Sequence, residues 1–358
     1  LGISQSTHSL EETMFLLGIH PLFFLILTSK ALEDCSCGES IFGLNACGGR
    51  EERIVGGREA YENEIPWQVR LNECDASNFC SNCGGAIIGK RFILSAAHCF
   101  YDSKAKNVKA QVGYIHDKKA SSFSRIYGIE YIKIHEGWHS NLIRNDIALL
   151  KVDEDIEFND GVRPVCLPPG GSKNLYIGQS SVASGWGLRS EIDNYTSPYL
   201  RRTKLTILAN DDKRCIKGNT VGGALYKDQL CAFGKNTDAC YRDSGGPLTL
   251  VGSNHRTCTL AGVISYGNGC ARQGHAGIYT RVGEYLSWIK DNTKDDECLK
   301  STKIDFCDLR CIFGEVNGIP DELKEKNGTI QCQKGFCGFD DKSIDLCEVL
   351  NHPCNQKN

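Results

Sequence analysis

Three short motifs supply side chains that could cut a peptide bond by nucleophilic attack. A hydroxyl attacks a carbonyl efficiently when a base takes its proton, a carboxylate orients that base, and hydrogen-bond donors stabilise the resulting oxyanion. The motifs SAAHC, DIALL and DSGGP provide the three side chains, in chain order, as His98, Asp146 and Ser244. These residues are far apart in sequence, so the chemistry depends on a fold that brings them together.

The long segment that contains these motifs is predicted to be all-β. Short apolar or alternating runs at 67–71, 108–112 and 147–152 are separated by Gly, Asn and Asp, a pattern typical of strands joined by turns. Residues 284–291, EYLSWIKD, carry apolar residues at helical spacing and predict a terminal helix. Beyond residue 293 the composition shifts to Lys, Asp and Cys.

From residue 54 to about residue 292 the sequence resembles the trypsin family of serine proteases. The motifs that carry the resemblance are IVGG at 54–57, SAAHC at 95–99, DIALL at 146–150, GWG at 185–187, DSGGP at 243–247 and SYG at 265–267. The resemblance implies a peptidase domain at 54–293 made of two packed antiparallel six-stranded β-barrels with a C-terminal helix. It also implies that His98 is general base and acid, that Asp146 orients it, and that Ser244 forms an acyl-enzyme.

The sequence departs from the family pattern at the predicted oxyanion hole. The resemblance assigns the hole to the backbone N–H groups of Arg242 and Ser244, and the family normally has Gly where Arg242 stands. Glycine leaves the peptide free to turn its N–H toward the reacting oxygen. The arginine keeps the N–H, but its side chain would stand over the leaving-group side of the cleft. We therefore expect the enzyme to remain active but to accept a narrower range of ligands, with bulky substrate-like inhibitors excluded more than flexible substrates.

A specificity pocket for basic residues is implied by four positions. Asp238 matches the aspartate at the pocket floor of trypsins, where a carboxylate pairs with Arg or Lys of the substrate. Gly267 and Gly277 match the pocket walls and leave room for a long side chain. Ser265 is expected to border this site and to support Asp146.

Activation of a precursor is implied by the sequence around residue 53. Arg53 is followed by Ile54-Val-Gly-Gly, which resembles the cleavage site of the family's zymogens. Cleavage after Arg53 would free the amino group of Ile54, which in the family pairs with the aspartate beside the nucleophile, here Asp243. Such a buried pair would lock the oxyanion loop and the specificity pocket.

The N-terminal region is predicted to direct secretion. Met14 begins an apolar stretch that ends before a small-x-small site near Ala31, so residues 14–31 are interpreted as a signal peptide and 1–13 as upstream non-native sequence. A membrane anchor is the alternative, but His20 and Pro21 interrupt the run and it is short for a bilayer span. Residues 32–53 would then form a light chain.

Twenty cysteines in 358 residues indicate an oxidising, extracellular compartment. The resemblance pairs Cys83 with Cys99, Cys215 with Cys231, and Cys240 with Cys270, and gives Cys166 a light-chain partner, either Cys47 or Cys37. A local bridge between Cys74 and Cys80 is also possible by spacing. Seven cysteines lie between 298 and 354, so one must pair outside this segment or stay free, with Cys258 or a light-chain cysteine as candidates.

The sequence does not predict binding of nucleic acid, metal ions or cofactors. The 41 Lys and Arg nearly balance the 44 Asp and Glu, and like charges form no long run, so no nucleic-acid partner is expected. Tyr114 stands where the calcium loop of vertebrate trypsins has its first glutamate, and no other metal or cofactor site is predicted. Asn194 and Asn327 begin glycosylation sequons. The tail, residues 294–358, is interpreted either as a disulfide-stapled appendage or as an exosite.

The sequence therefore predicts a secreted endopeptidase, made as a zymogen, that cuts protein substrates after Arg or Lys. Its expected partners are extracellular protein substrates, protease inhibitors and an upstream activating protease, with no membrane span in the mature chain. The alternative is a weakly active or inactive homologue that acts as a binding protein because of Arg242.

Overall fold

A computed structural model describes residues 35–49, 57–74, 80–168, 176–217, 225–252 and 255–300. The predicted signal peptide, the Arg53–Ile54 bond, Asn327 and the tail beyond residue 300 lie outside these residues.

The described ranges contain thirteen β-strands and few helices. The strands are β1 (Arg58–Glu59), β2 (Gln68–Cys74), β3 (Cys80–Ile87), β4 (Phe92–Ser95), β5 (Val108–Val112), β6 (Arg125–Ile134), β7 (Ala148–Val152), β8 (Ser180–Gly185), β9 (Arg201–Leu208), β10 (Gln229–Phe233), β11 (Pro247–Val251), β12 (Cys258–Tyr266) and β13 (Gly277–Arg281). The α-helices are α1 (Lys213–Ile216), α2 (Leu286–Asn292) and α3 (Glu297–Lys300). Short 3₁₀ helices lie at Gly43–Cys47, Ala97–Cys99, Ala105–Asn107 and Val282–Glu284.

The first barrel closes in the order β2-β3-β4-β7-β6-β5, with antiparallel pairing throughout. Its interior is filled by aliphatic side chains from all six strands, among them Val69, Ile93, Val112 and Leu150, each 0% exposed. Burying such a side chain contributes roughly 1.5 to 3 kcal/mol. The period-two alternation along the strands is what aims these residues inward.

The second barrel is formed by β9-β10-β13-β12-β11-β8 and is closed by pairing of β8 with β9. The short β1 adds to it at β9, where Arg58 pairs with Arg202. Two closed six-stranded antiparallel barrels confirm the predicted fold class. The predicted terminal helix is present as α2, which buries Ile289.

A shared apolar layer holds the two barrels together. It includes Trp67 and Leu149 from the first barrel, Val263 from the second, and Ile289 of α2, each at most 1% exposed. Because both barrels contribute to one continuous core, the seam between them is fixed. Loops from both barrels meet at this seam and carry the motifs described above.

Seven disulfides join the described residues. Cys83–Cys99, Cys215–Cys231 and Cys240–Cys270 are the pairs that the family resemblance implies, and Cys74–Cys80 closes a local loop. The others are Cys35–Cys298, Cys37–Cys166 and Cys47–Cys258. All three tie the segment at 35–49 to the rest of the chain.

The partner of Cys166 is Cys37, one of the two light-chain cysteines that the resemblance allowed, and Cys47 pairs with Cys258 instead. Gly38 N donates to Pro164 O (2.8 Å) and Gly38 O accepts from Cys258 N (2.8 Å), which holds Cys37 beside Cys166. Cys47 lies at the end of the 3₁₀ helix and is 0% exposed, where it reaches Cys258. The partner of Cys166 is therefore set by backbone hydrogen bonds between segments distant in sequence. The spacing of the cysteines along the chain does not predict these hydrogen bonds.

The odd cysteine of the C-terminal segment is Cys298, whose partner is Cys35. A light-chain cysteine was one of the two candidates, and Cys258 was the other. This bond leaves six cysteines among residues 301–358, an even number that can pair within the tail.

Candidate active site

The first barrel places His98 and Asp146 side by side. Strand β4 ends at Ser95 and runs into the 3₁₀ helix that carries His98, while Asp146 stands just before β7. Since Ser95 is paired with Ala148, the end of β4 and the start of β7 meet at the same edge. His98 Nδ1 lies 2.8 Å from Asp146 Oδ2, and His98 N donates to Oδ1 (2.9 Å).

The second barrel fixes the carboxylate from the other side. Ser265 Oγ donates to Asp146 Oδ2 (2.5 Å), as the family resemblance implies for Ser265. Thr280 Oγ1 donates to the backbone oxygen of Asp146 (2.7 Å). Asp146 is 1% exposed, and its acceptor position favours the histidine tautomer with a proton on Nδ1. Sequence reasoning missed Thr280, because its strand pattern looks like that of any buried threonine.

Ser244 sits in a tight loop that both barrels hold in place. Its carbonyl oxygen accepts from Gly84 N of β3 (2.7 Å), and Gly245 N donates to Ile264 O of β12 (2.8 Å). Gly245 has φ +81°, and a Cβ there would lie 2.2 Å from Ser95 Oγ. Only glycine fits, since the left-handed backbone and the close neighbour each exclude a side chain.

The serine and histidine side chains are not hydrogen-bonded to one another in this structure. His98 is about one-third exposed at its side chain and has no oxygen partner for Nε2 within the described ranges. Ser244 lies on the facing loop and is partly exposed. The arrangement therefore provides an oriented base and an accessible hydroxyl that still have to come into hydrogen-bond contact.

Arg242 adopts a backbone conformation that suits glycine. Its φ is +75°, and its side chain is exposed to solvent. For an L-residue this region costs roughly 1 to 2 kcal/mol. The strain lies within the loop that carries Ser244, where the family pattern has a glycine.

Asp238 lies beside Gly277 of β13 and borders the cavity of the second barrel that Asp243 also lines. Its Oδ1 accepts from Ala239 N (2.9 Å) and Oδ2 lies 3.4 Å from Ala271 N. A Cβ on Gly277 would lie 3.0 Å from Asp238 Oδ1, so glycine keeps the carboxylate open. Burial raises the pKa of Asp238 to about 7. A carboxylate removed from water in this way gains from pairing with an incoming cation.

Two further residues shape this site. Gly267 lies next to Gly277, since a Cβ on Gly267 would lie 3.8 Å from Gly277 Cα. Tyr279 is 1% exposed, and its hydroxyl has no hydrogen-bond partner among the described residues. Burial raises the pKa of this phenol well above its usual value, with the charge of Asp238 adding to the effect. Tyr279 was missed by sequence reasoning because strand alternation predicts only that it is buried.

Asp243 points away from the nucleophile into a cavity of the second barrel. Its carboxylate accepts from Gly187 N (2.7 Å) and Cys240 N (3.0 Å), and no Lys or Arg of the described ranges forms an ion pair with it. Burial raises its pKa to about 6. The cavity, about 70 Å³, is also bordered by Gly57, the first described residue after the predicted cleavage site.

A family model described as Trypsin matches residues 54–289, about two thirds of the chain. The chain belongs to the trypsin family. The match covers both barrels and ends within α2. It therefore includes all the residues of the site described above, and this trypsin-family chain is a chymotrypsin-fold serine protease by descent.

Curated relatives agree with this assignment. Coagulation factor XI of Bos taurus is 34% identical over 245 residues, which are 68% of this chain and 38% of the relative. Transmembrane protease serine 7 of Mus musculus is 32% identical over 243 residues, 66% of this chain and 28% of the relative. Trypsin epsilon of Drosophila erecta is 33% identical over 244 residues, 68% of this chain and 88% of the relative. The matched region thus spans well under half of the first two proteins and most of the third.

Metal ligands do not cluster in the described part of this trypsin-family chain: no group of three or more His, Cys, Asp or Glu side chains is arranged to hold an ion there. None of the helices within those same ranges has the length and apolar character needed to cross a lipid bilayer.

Proposed function

We propose that this chain is a secreted endopeptidase that hydrolyses protein substrates after Arg or Lys through an acyl-enzyme. The observation that carries the proposal is the 2.8 Å contact of His98 with a buried Asp146, beside Ser244 and the open carboxylate of Asp238. A histidine with a purely structural role is not expected beside both a serine nucleophile and a carboxylate suited to bind a basic side chain.

In the proposed reaction this chain supplies three catalytic side chains, a carboxylate for the substrate and two backbone N–H groups. The substrate's basic side chain pairs with Asp238, which sets the scissile carbonyl beside Ser244. His98 Nε2 takes the proton from Ser244 Oγ as the Oγ–carbon bond forms, and the oxyanion is held by the N–H groups of Arg242 and Ser244. His98 then gives this proton to the leaving amine, and water repeats the sequence to release the acid.

The test is hydrolysis by the chain after cleavage at Arg53. Short peptides that end in Arg and in Phe before a reporter group are offered to residues 32–358, with cleavage verified by sequencing the new N-terminus. We expect turnover of the Arg peptide and little of the Phe peptide. Failure to hydrolyse either peptide would favour the alternative, a binding protein of protease fold in which Arg242 impairs the oxyanion hole.

The proposed activation step explains the open position beside Asp243. A new amino group at Ile54 would bring a cation to a carboxylate that has only backbone donors in the uncut structure. The cavity at Asp243 borders Gly57, three residues from Ile54, which is within reach of a short extended segment. Pairing there would order the neighbouring loop that carries Arg242 and Ser244.

Stability of the uncut chain is expected to fall as pH rises through the pKa of Asp243. The folded pKa of about 6 is above the ordinary 3.8, so the folded state holds the proton more tightly and its contribution is complete below about pH 4. It is lost progressively between about pH 4 and pH 6, by on the order of 2 to 3 kcal/mol in all, and is gone above the folded pKa. Denaturant unfolding of the uncut chain from pH 4 to 7 measures this loss.

The control for this measurement is Asp243→Asn, which cannot titrate. The variant should lack this part of the pH dependence, whereas Asp238 continues to titrate in both proteins. Cleavage after Arg53 should also remove it, because the Ile54 ammonium keeps Asp243 ionised. Equal slopes for the uncut parent and the Asn variant would contradict the assignment.

Replacement of Arg242 by glycine is expected to stabilise the fold and speed the reaction. The substitution relieves the +75° backbone strain, for a gain of about 1 kcal/mol in unfolding free energy, and frees the oxyanion donor to align. We expect kcat for an Arg peptide to rise about tenfold, a fraction of what a whole oxyanion donor contributes. Arg242→Ala is the matched variant, since it removes the side chain but keeps the strain. If Ala raised kcat as much as Gly, steric crowding and not backbone strain would be the cause.

Secretion and glycosylation belong to the same proposal. Seven disulfides in the described residues suit an oxidising compartment. Asn194 is exposed on a loop, where a sugar could be attached. The three bonds of the 35–49 segment would keep a light chain attached after cleavage at Arg53.

A further inference from the structure

A second pocket lies at the seam beside the loop of the nucleophile, between that loop and strands β2 and β3 of the first barrel. Its lining residues come from both barrels and are Arg70, Asn82, Cys83, Gly84, Gly185, Trp186 and Arg242. Gly84 is the residue whose N–H donates to the carbonyl of Ser244 (2.7 Å), so the pocket adjoins the backbone of the reactive serine. The Cys83–Cys99 disulfide links it to the residue after His98.

The pocket's position assigns it to the leaving-group half of a bound substrate. Asp238, which receives the residue before the scissile bond, belongs to the second barrel, whereas Arg70 and Asn82 lie on β2 and β3 of the first. His98, which must protonate the leaving amine, also belongs to the first barrel. A peptide that crosses the seam at Ser244 therefore passes from the Asp238 site toward this pocket.

The pocket carries an excess of positive charge. The guanidinium of Arg242 is exposed and has no ion-pair partner within the described ranges. Arg70 places Nη1 at 3.2 Å from Asp117 O and at 3.5 Å from Asp117 Oδ2, while its Nε is buried without a hydrogen-bond partner. Asp117 is also shared with His116, at 3.1 Å.

The two arginines face each other closely enough to interact. Burial lowers the pKa of Arg70, Asp117 opposes this, and the positive charge of Arg242 adds to the lowering. None of the residues that line the pocket within the described ranges is acidic. Of the two arginines, only Arg70 is paired with a carboxylate in the described part of the chain, that of Asp117, so the two guanidinium groups leave donors available to a second anion.

We propose that Arg70 and Arg242 form a cationic subsite that selects substrates with an acidic residue at the first or second position after the cleaved bond. The inference rests on the proposed function and adds a substrate class to it. A carboxylate in this pocket accepts hydrogen bonds from both guanidinium groups and relieves their mutual repulsion. A basic residue at the same place adds a third positive charge and is disfavoured.

The test compares four quenched fluorescent peptides with the activated chain. They are identical except for Glu or Gln at the first or the second position after the Arg that is cut. At low ionic strength kcat/KM for one Glu peptide should exceed that of its Gln counterpart about tenfold, which corresponds to about 1.4 kcal/mol. The ratio should shrink at high salt, because partly exposed charges are screened.

The variants identify the source of the preference. Arg242→Gln and Arg70→Gln should each reduce the Glu-to-Gln ratio toward one, and because it is a ratio, a change in overall rate from the oxyanion loop cancels. Arg242 is exposed, so its substitution carries little risk to folding even if loss of Arg70 destabilises the barrel. Arg125→Gln is the matched control: its side chain is 50% exposed on β6 and outside the pocket, and it should leave the ratio unchanged.

The outcomes separate the two proposals. Cleavage of the peptides with ratios near one at low salt would overturn the subsite and leave the proposed protease intact. A preference that survives both Gln substitutions would also overturn it, because the charge would then come from elsewhere. Absence of cleavage in every peptide, with the Arg53 cut verified, would remove the proposed function and the subsite with it.

Discussion

Replacing Ser244 by alanine is expected to reduce kcat toward the Arg peptide by about 10⁶-fold in the activated chain. The loop that carries this serine is held by both barrels, since Ser244 O accepts from Gly84 N and Gly245 N donates to Ile264 O. KM should change little, because the basic-residue pocket remains. The measurement is hydrolysis at enzyme concentrations high enough to detect the residual rate.

The effects of substituting Ser244 and His98 should not add. Since His98 acts only through the proton of Ser244, the double variant Ser244→Ala with His98→Ala should be no slower than Ser244→Ala alone. Asp146→Asn should cost about 10⁴-fold, because the amide favours the wrong histidine tautomer. Retention of most activity by Ser244→Ala would place the nucleophile elsewhere and sink the proposed mechanism.

Substitution of Asp238 by asparagine is expected to lower kcat/KM for Arg and Lys peptides by roughly 10²- to 10³-fold. A bound guanidinium would then lie in a buried pocket without a counterion, and an unpaired buried charge costs on the order of 3 to 5 kcal/mol. Peptides that end in Tyr or Phe before the reporter should be affected far less. The result is a change in the ratio between basic and aromatic substrates, measured with the same enzyme preparation.

Asp155→Asn provides the control for loss of one negative charge. Its side chain is 68% exposed, and its nearest basic contact is Arg91 at 3.8 Å, so no change in substrate ratio is expected. If Asp238→Asn lowered the rates for basic and aromatic peptides equally, the residue would support the loop and not the pocket. That loop lies close to Asp243, since the charge of Asp243 contributes to the raised pKa of Asp238.

The fold class followed from the strand pattern and the family resemblance, and the two barrels confirm it. Short alternating runs separated by turn residues are a local signal, because alternation is built into a strand that has one buried face. The choice of a closed barrel came from the resemblance alone. The pairing of β8 with β9, which closes the second barrel, joins segments whose own sequences carry no mark of each other.

Some residues of the site could likewise be predicted from the sequence, and others could not. His98, Asp146 and Ser244 stand in short motifs that can be read directly from the chain. Thr280 donates to the backbone oxygen of Asp146, and the hydroxyl of Tyr279 lies near Asp238. Both residues belong to a buried strand whose sequence pattern does not distinguish them from ordinary core residues. The role of Arg70 depends on strand register, which brings β2 next to β3 and the nucleophile loop.

By itself the sequence determined the residue types that could do the chemistry, their order, and the departure at Arg242. Tertiary structure decided which of those groups meet, what each is paired with, and which charges are left without a partner. In the folded chain Cys166 is bonded to Cys37 and not to Cys47, and Cys298 is bonded to Cys35. The fold also brings Arg70 and Arg242 into one pocket. The physical reason is that side-chain type and local periodicity act over a few residues, whereas distances and burial depend on strands paired across the whole chain.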